Sequence, residues 1–308
     1  MLPGMTRPLL LLSTRWLGDW SAVEERFDVQ VTGRRSVREA VLAGADPAVI
    51  WTFGERIDEE LLDRAPSLRV VVNQGVGYDV DALAARGIPF VRAVGANAEA
   101  VADRAFALLL AVRHRIVEQD AIVRAGGWSD EGYANVMGTD VGGTTLGIVG
   151  FGAIGQAAAR RAAGFGMRVL VSGRTPLAPE LLARHGVEEV ALHALLAAAD
   201  HVTLHCPLTD GTRGLIGARE LALMPPHAVL VNTARGPVVD EPALIEALAA
   251  GRLAGAGLDV FAAEPLVPEA LRHDPRVVLT PHSADATPGA VAAQVRVCAA
   301  GLLAHWDA

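Results

Sequence analysis

Short apolar runs recur along the first third of the chain: Leu9–Leu12, Val29–Val31, Val49–Thr52, Arg69–Val72 and Phe90–Arg92. Most of their positions are apolar, rather than every second one, which predicts strands buried on both faces. Between them, Val37–Leu42, Glu59–Arg64 and Asp81–Arg86 read as helices. Strand and helix alternating in this way predict a parallel sheet covered on both sides. Ligands of such sheets lie beyond the carboxyl ends of the strands, which singles out "NQGVGYDVDAL", Asn73–Leu83. Its glycines either free the N–H groups of Val76, Gly77 and Tyr78 to face an anion or form an ordinary turn.

A longer pattern follows. From Ala96 to Trp128 Ala, Leu and Val dominate, Asn97 is a good N-cap and Gly126-Gly127 make a stop, so one helix of roughly thirty residues is predicted, about 40 Å long. It is too apolar all round for one solvated face and is expected to carry a homodimer contact. Arg104, Arg113, His114 and Arg115 along it read as a solvated or interfacial face. The strand–helix alternation then resumes with strands at Val169–Val171, Val202–Leu204, Ala228–Asn232, Ala254–Asp259 and Val277–Leu279, and helices at Leu192–Ala199 and Glu241–Ala250. Gly289–His305 reads as a closing helix, long enough to return to the first lobe.

The chain is organised around Thr145–Pro176, where the apolar run Leu146, Ile148 and Val149 passes into Gly150, Gly152 and Gly155 and then into a helix-forming Ala/Arg segment. The first glycine permits the tight turn, the second lets the backbone approach a pyrophosphate, and the third lets helix and strand pack closely, with the helix N-terminus facing the anion. In this strand–helix–strand context the motif predicts dinucleotide binding. An NAD site usually has an acid about 20 residues later, but no acid occurs between Gln156 and Pro179; Ser172, Arg174 and Thr175 stand at the end of the next strand. A guanidinium flanked by hydroxyls suits the additional phosphate of NADP, so NADP(H) is expected to be preferred, with NAD(H) possible.

Bulk composition narrows the rest. With 308 residues, 51% hydrophobic and 20% charged, the chain is expected to form two soluble domains. A net charge of −8, with 27 basic against 35 acidic residues, argues against a nucleic-acid surface. Two distant cysteines, Cys206 and Cys298, form neither a disulfide framework nor a metal cluster, so a reducing, cytoplasmic setting is expected, with both as packing residues and no metal. Leu9–Leu12 is too short for a secretory signal, and about 18 uninterrupted apolar residues occur nowhere, so no membrane association is expected.

Arg235, Glu264 and His282 each stand just past the carboxyl end of a predicted strand in the nucleotide half. Adding a hydride to a carbonyl needs a proton donor, a cation for the substrate carboxylate and a group that tunes the donor. His282 fits the donor, Glu264 the tuning partner that would favour imidazolium and fix the ring, and Arg235 the carboxylate clamp. His201 and His205 flank a buried strand and read as structural.

The segments "GIVGFGAIG", "HCPLTDGTRGLIG", "NTARGPVVDEPALIEALAAGRLAGAGLDVFAAEP" and "PHSADAT" together resemble the D-isomer-specific 2-hydroxyacid dehydrogenases over essentially the whole chain. The resemblance implies an α/β fold of two parallel-sheet lobes: a flavodoxin-like substrate lobe, residues 1–96 with 283–308, and an inserted Rossmann lobe, residues 97–282. It implies that Arg235 binds substrate, Glu264 supports the acid/base, and His282 is that acid/base. It further implies that Val76 and Gly77 offer amides to the substrate carboxylate and that Asp259 lies near the nicotinamide amide. Ala153 and Ile154 in the glycine turn, with Cys206, Pro207 and Thr233 at later strand ends, complete the expected cofactor contacts.

The "SGRTP" stretch resembles the NADPH-linked glyoxylate and hydroxypyruvate reductase branch, which makes a small 2-oxo acid the expected substrate. Trp51, Phe53 and Tyr78 are candidates to shape its pocket. The chain departs from the family at Asp285, where Gly is common, and at Asp103, where Glu is common. Glu264 rather than Gln argues against formate dehydrogenase, and no regulatory domain is expected after Trp306. Two alternatives stand beside this reading: an NAD-linked dehydrogenase of another 2-hydroxy acid, and a nucleotide-sensing binding protein of similar fold.

Overall fold

The computed structural model describes residues 7–33, 36–53, 55–75, 81–128 and 137–307. The chain forms two compact units, residues 1–97 with 286–308 and residues 98–285. The first contains β1 (Leu9–Leu12), α1 (Ser21–Glu24), β2 (Asp28–Val31), α2 (Val37–Leu42), β3 (Val49–Thr52), α3 (Glu59–Arg64), β4 (Val70–Asn73), α4 (Asp81–Ala85) and β5 (Phe90–Arg92). Its strands are all parallel in the order β2-β1-β3-β4-β5, the flavodoxin-like arrangement. Leu10, Leu12, Val49, Trp51, Val70 and Val72 face one core, while Leu11, Ile50 and Val71 face the other. Two buried faces explain the unbroken apolar runs. The last helix, Pro288–Trp306, seals the first core with Val295, Cys298, Ala299 and Leu302, and starts where the Thr287 side chain accepts the Ala290 N–H.

The second unit contains α5 (Ala98–Arg113), α6 (Ile116–Arg124), β6 (Thr145–Val149), α7 (Ala153–Gly164), β7 (Arg168–Ser172), α8 (Pro179–His185), β8 (Glu188–Glu189), α9 (Leu192–Ala198), β9 (His201–Leu204), α10 (Ala218–Leu223), β10 (Val229–Asn232), α11 (Glu241–Ala249), β11 (Gly255–Leu258), α12 (Glu269–Arg272) and β12 (Val277–Leu279). The strand order β12-β11-β10-β9-β6-β7-β8, all parallel, is the doubly wound dinucleotide-binding order with one further strand. The order reverses between β6 and β9, which makes the carboxyl end of β6 the place to look for a nucleotide.

The single helix expected over Ala96–Trp128 is two helices. Arg115 takes a left-handed conformation, φ 52°, and separates α5 from α6. The carbonyls freed at this break are satisfied from the side: Thr139 N–H donates to Arg113 O at 2.9 Å, and Gln119 Nε2 to His114 O at 2.7 Å. The Arg115 guanidinium closes on Glu118. No glycine or proline marks the break, so apolar spacing runs through it. None of the α6 residues is buried, and Ile116, Val117, Val123, Trp128 and Met137 are exposed around it. Arg113 is buried rather than solvated, donating to the His227 carbonyl.

Candidate active site

The glycine turn lies at the carboxyl end of β6. Gly150 has φ +94°, and a Cβ there would lie 2.7 Å from the Cys206 nitrogen, so the turn packs against the start of the loop after β9. A Cβ on Gly155 would sit 2.2 Å from the Gly150 carbonyl oxygen, which only glycine avoids. Gly152 is different: nothing lies within 4 Å of the space its Cβ would fill, and the residue is the N-cap of α7. The helix carries no acid in its first turn, Ala153 is exposed and Ile154 half-buried, so its unpaired N–H groups face open space. An open N-terminus, free of Cβ atoms and acids, fits the pyrophosphate of a dinucleotide.

The loop after β7 is tied to this turn by the Gly150 N–H donating to the Ser172 carbonyl at 2.8 Å. Arg174 and Thr175 are exposed, whereas Ser172, expected as a phosphate donor, is buried at the strand end. Cys206 is half-buried, burial pushing its thiol pKa up, and Pro207 is exposed. Thr233 is buried with its hydroxyl 3.4 Å from Nδ1 of His205, whose Nε2 is 3.0 Å from the Thr203 hydroxyl. Burial pushes the His205 pKa down to about 4. This neutral imidazole therefore links the ends of β9 and β10, a role its position beside a buried strand did not reveal.

Glu264 and His282 meet: His282 Nδ1 is 2.7 Å from Glu264 Oε2, and Glu264 Oε1 accepts the Phe261 N–H at 3.0 Å. Both remain partly exposed to solvent. His282 has φ 49°, an unfavourable region for a residue with a Cβ, and the surroundings hold it there. Its N–H donates to the Asp259 carbonyl at 2.8 Å, while the Asp259 carboxylate accepts from the Thr280 hydroxyl and the Ser283 and Ala284 N–H groups. Asp259 is fully buried, so this carboxylate acts as a clamp on the loop that carries the imidazole.

Arg235 follows β10 and donates Nη1 to the Ala234 carbonyl at 2.6 Å. Asn232 fastens the same loop, its Oδ1 accepting from Ala234 N and its Nδ2 donating to Arg235 O, both at 3.0 Å. Gly236, which the sequence reading did not single out, is the contact that matters most here: a Cβ would lie 1.9 Å from the Phe261 carbonyl. The Arg235 loop thus presses directly on the backbone leading to Glu264. Val76 and Gly77, and Tyr78 of the expected pocket, lie outside the described residues. Trp51 does not shape a pocket: it is buried, and its indole N–H donates to Gln74 Oε1 at 3.0 Å. Phe53 is exposed, with its ring 5.4 Å from that of Trp16.

Among the described residues no group of three or more His, Cys, Asp and Glu could hold a metal ion, and no helix is long and apolar enough to cross a membrane. Residues 106–284 match the family model described as D-isomer specific 2-hydroxyacid dehydrogenase, NAD binding domain. A glyoxylate reductase from Thermococcus litoralis is 46% identical over 264 residues, 83% of this chain and 80% of that protein. A glyoxylate reductase structure from Paecilomyes thermophila aligns with TM-score 0.86 and 32% identity, covering 97% of this chain and 95% of the other. The NADPH-dependent glyoxylate/hydroxypyruvate reductase of Sinorhizobium meliloti, in complex with NADP and malonate, aligns with TM-score 0.84 and 34% identity over 98% and 94%. Two parallel sheets, a glycine turn at the switch point and this pattern of similarity agree: the chain belongs to the D-isomer-specific 2-hydroxyacid dehydrogenases.

Proposed function

We propose that the protein reduces small 2-oxo acids of the glyoxylate or hydroxypyruvate type to D-2-hydroxy acids, with NADPH as the preferred reductant. The observation that carries this reading is the Glu264–His282 pair at 2.7 Å on a strained loop held by Asp259. A reduced nicotinamide held at the glycine turn would supply the hydride that the carbonyl carbon takes up. His282 supplies the proton: with Nδ1 engaged by Glu264, Nε2 is the nitrogen left to protonate the carbonyl oxygen as charge builds there. Arg235 holds the carboxylate with the guanidinium donors that its main-chain contact leaves open. Val76 and Gly77 join it on the family resemblance alone, and Asp259 is assigned to the nicotinamide amide on the same ground.

NADPH preference is supported by the exposed Arg174 beside the glycine turn and by the absence of an acid in that loop. The glycine turn with Ala153, Ile154, Cys206, Pro207 and Thr233 would hold the rest of the dinucleotide. A second copy of the chain covering the exposed apolar residues of α6 would make a homodimer, which light scattering at micromolar concentration tests. Two unbridged cysteines accord with work in the cytoplasm. The decisive experiment is a spectrophotometric screen of 2-oxo acids with NADPH and NADH. Oxidation of NADPH by glyoxylate or hydroxypyruvate upholds the proposal, and no turnover with any 2-oxo acid rejects it.

A further inference from the structure

Arg104 reads in the sequence as part of a solvated or interfacial helix face, and in the fold it is half-buried at the acid/base loop. Its placement follows from how α5 crosses β11. A Cβ on Gly255 would lie 2.8 Å from Val112 Cγ1, and one on Gly257 would lie 2.8 Å from Leu108 Cβ, so α5 runs against the strand direction. One helical turn before Leu108 is Arg104, over the carboxyl end of β11 where Asp259 begins the clamp on His282. Its Nη2 donates to the carbonyl of Ser283, the residue after His282, at 3.3 Å.

Other arginines of this unit that are partly withdrawn from water pair with carboxylates: Arg115 with Glu118, Arg161 with Glu99 and Asp103, Arg276 with Asp274. Arg104 and Arg235 do not. Among the described residues each donates only to a main-chain carbonyl, which leaves most of five N–H donors open. Arg113 also donates to a carbonyl, but it is buried at the opposite edge of the sheet and closed to any ligand. A partly desolvated cation with no counter-charge gains most from an anion that can reach it. Arg235 is the clamp for the carboxylate next to the reacting carbonyl. Arg104 is a second open guanidinium, bonded to the residue that follows His282.

We infer that Arg104 is a specificity residue that binds a second anionic group on the substrate, the distal carboxylate of a dicarboxylic 2-oxo acid. This rests on the reading of the protein as a 2-oxo acid reductase. Substrates matched in length test it: oxaloacetate against 2-oxobutyrate, and 2-oxoglutarate against 2-oxovalerate. The dicarboxylic member of at least one pair should have a kcat/KM about 10- to 100-fold higher, the scale of one charge-assisted hydrogen bond. Arg104→Met should bring that ratio to about one, and Arg104→Lys should retain part of it, since the charge stays while the fork is lost.

A ratio near one in the unsubstituted protein, while glyoxylate is reduced, overturns the inference and leaves the reductase reading intact. A ratio unchanged in Arg104→Met also overturns it. If Arg104→Met fails to fold by circular dichroism, the lysine variant decides, because the ratio must fall there too. If no 2-oxo acid is reduced, the reductase reading falls, and calorimetric titration of the protein saturated with oxidised dinucleotide, a complex that cannot turn over, decides the inference. Tighter binding of 2-oxoglutarate than of 2-oxovalerate, lost on substitution of Arg104, upholds it; equal binding overturns it.

Discussion

The two edges of the seven-stranded sheet carry similar side chains and do different things with them. At the carboxyl edge His282 and Glu264 meet at 2.7 Å with Arg235 and Arg104 nearby in the fold. At the amino edge His227 and Asp200 meet at the same 2.7 Å, with Arg113 and His201 beside them. There the groups are closed in by the scaffold: Asp200 accepts the Thr145 N–H at 2.7 Å, Arg113 donates to the His227 carbonyl, and Arg113 Nε and both ring nitrogens of His201 are buried without a partner among the described residues, out of a ligand's reach. At the carboxyl edge the arginines keep donors in reserve, and a glycine turn opens onto free space. A His–carboxylate pair is therefore not a site by itself. What distinguishes the carboxyl edge is open donors and helix N-termini at the ends of parallel strands.

Substitution of the two histidine pairs is the strongest way to break the comparison. His282→Ala should lower turnover at least about 100-fold, the usual scale for losing a general acid, whereas His227→Ala should leave kcat/KM within about twofold. Steady-state kinetics on both variants checks this, and equal losses would erase the distinction between the edges.

The amino edge should show itself in stability instead. Burial, reinforced by the Arg113 charge and opposed by Asp200, pushes the His201 pKa from 6.5 down to about 4. The unfolded chain then binds more protons than the fold between these values. Stability is present above about pH 6.5 and is lost as pH falls toward 4, by on the order of 3 kcal/mol for this one group. Urea unfolding as a function of pH measures the loss, and His201→Phe should flatten the profile if the residue is its source.

Cofactor choice sharpens the account of the carboxyl edge. A net contribution of about 2–3 kcal/mol from Arg174 to the additional phosphate of NADPH corresponds to roughly 30- to 150-fold in kcat/KM over NADH. The nearest atom to a Cβ on Gly173 would be the Thr175 carbonyl oxygen at 3.8 Å, so an acid fits there. Gly173→Asp with Arg174→Ala should reverse the preference; an Arg174→Ala protein whose NADPH/NADH ratio is unchanged would mean that this arginine is only solvated. The smallest expected effect is that of Glu264→Gln. The amide oxygen can still accept from Nδ1 and hold the ring, so kcat should fall by no more than about 10-fold, which steady-state kinetics checks; a loss as large as that of His282→Ala would show that the carboxylate charge itself is required.

Much of this was legible from sequence because burial leaves a plain record. The runs at Leu9–Leu12, Val49–Thr52 and Val70–Asn73 are strands with both faces covered, and their unbroken apolarity says so. Glu264 and His282, singled out because each follows a strand end, do come together in the fold. The break at Arg115 could not, since a left-handed residue that is neither Gly nor Asn has no local signal and is held by Thr139, which is remote in sequence. The partner of Arg104 was hidden for a related reason: helical spacing tells which face a residue shares, not that the face meets the loop carrying His282, 179 residues away. Trp51 was taken for a pocket wall although its indole is spent on Gln74 inside the core.

The chain visits its first unit twice, and this sets a schedule for synthesis. The second unit, residues 98–285, is contiguous, so a nascent chain can complete it without waiting. The core under β1, β3 and β4 cannot be closed until Val295, Cys298 and Leu302 have been added. At about 5–20 residues per second the interval is about 10–40 s. During that time the apolar face of Leu10, Leu12, Val49 and Val72 has only the cover that Trp20, Val23 and Phe27 give it, and a unit begun before the second is finished after it.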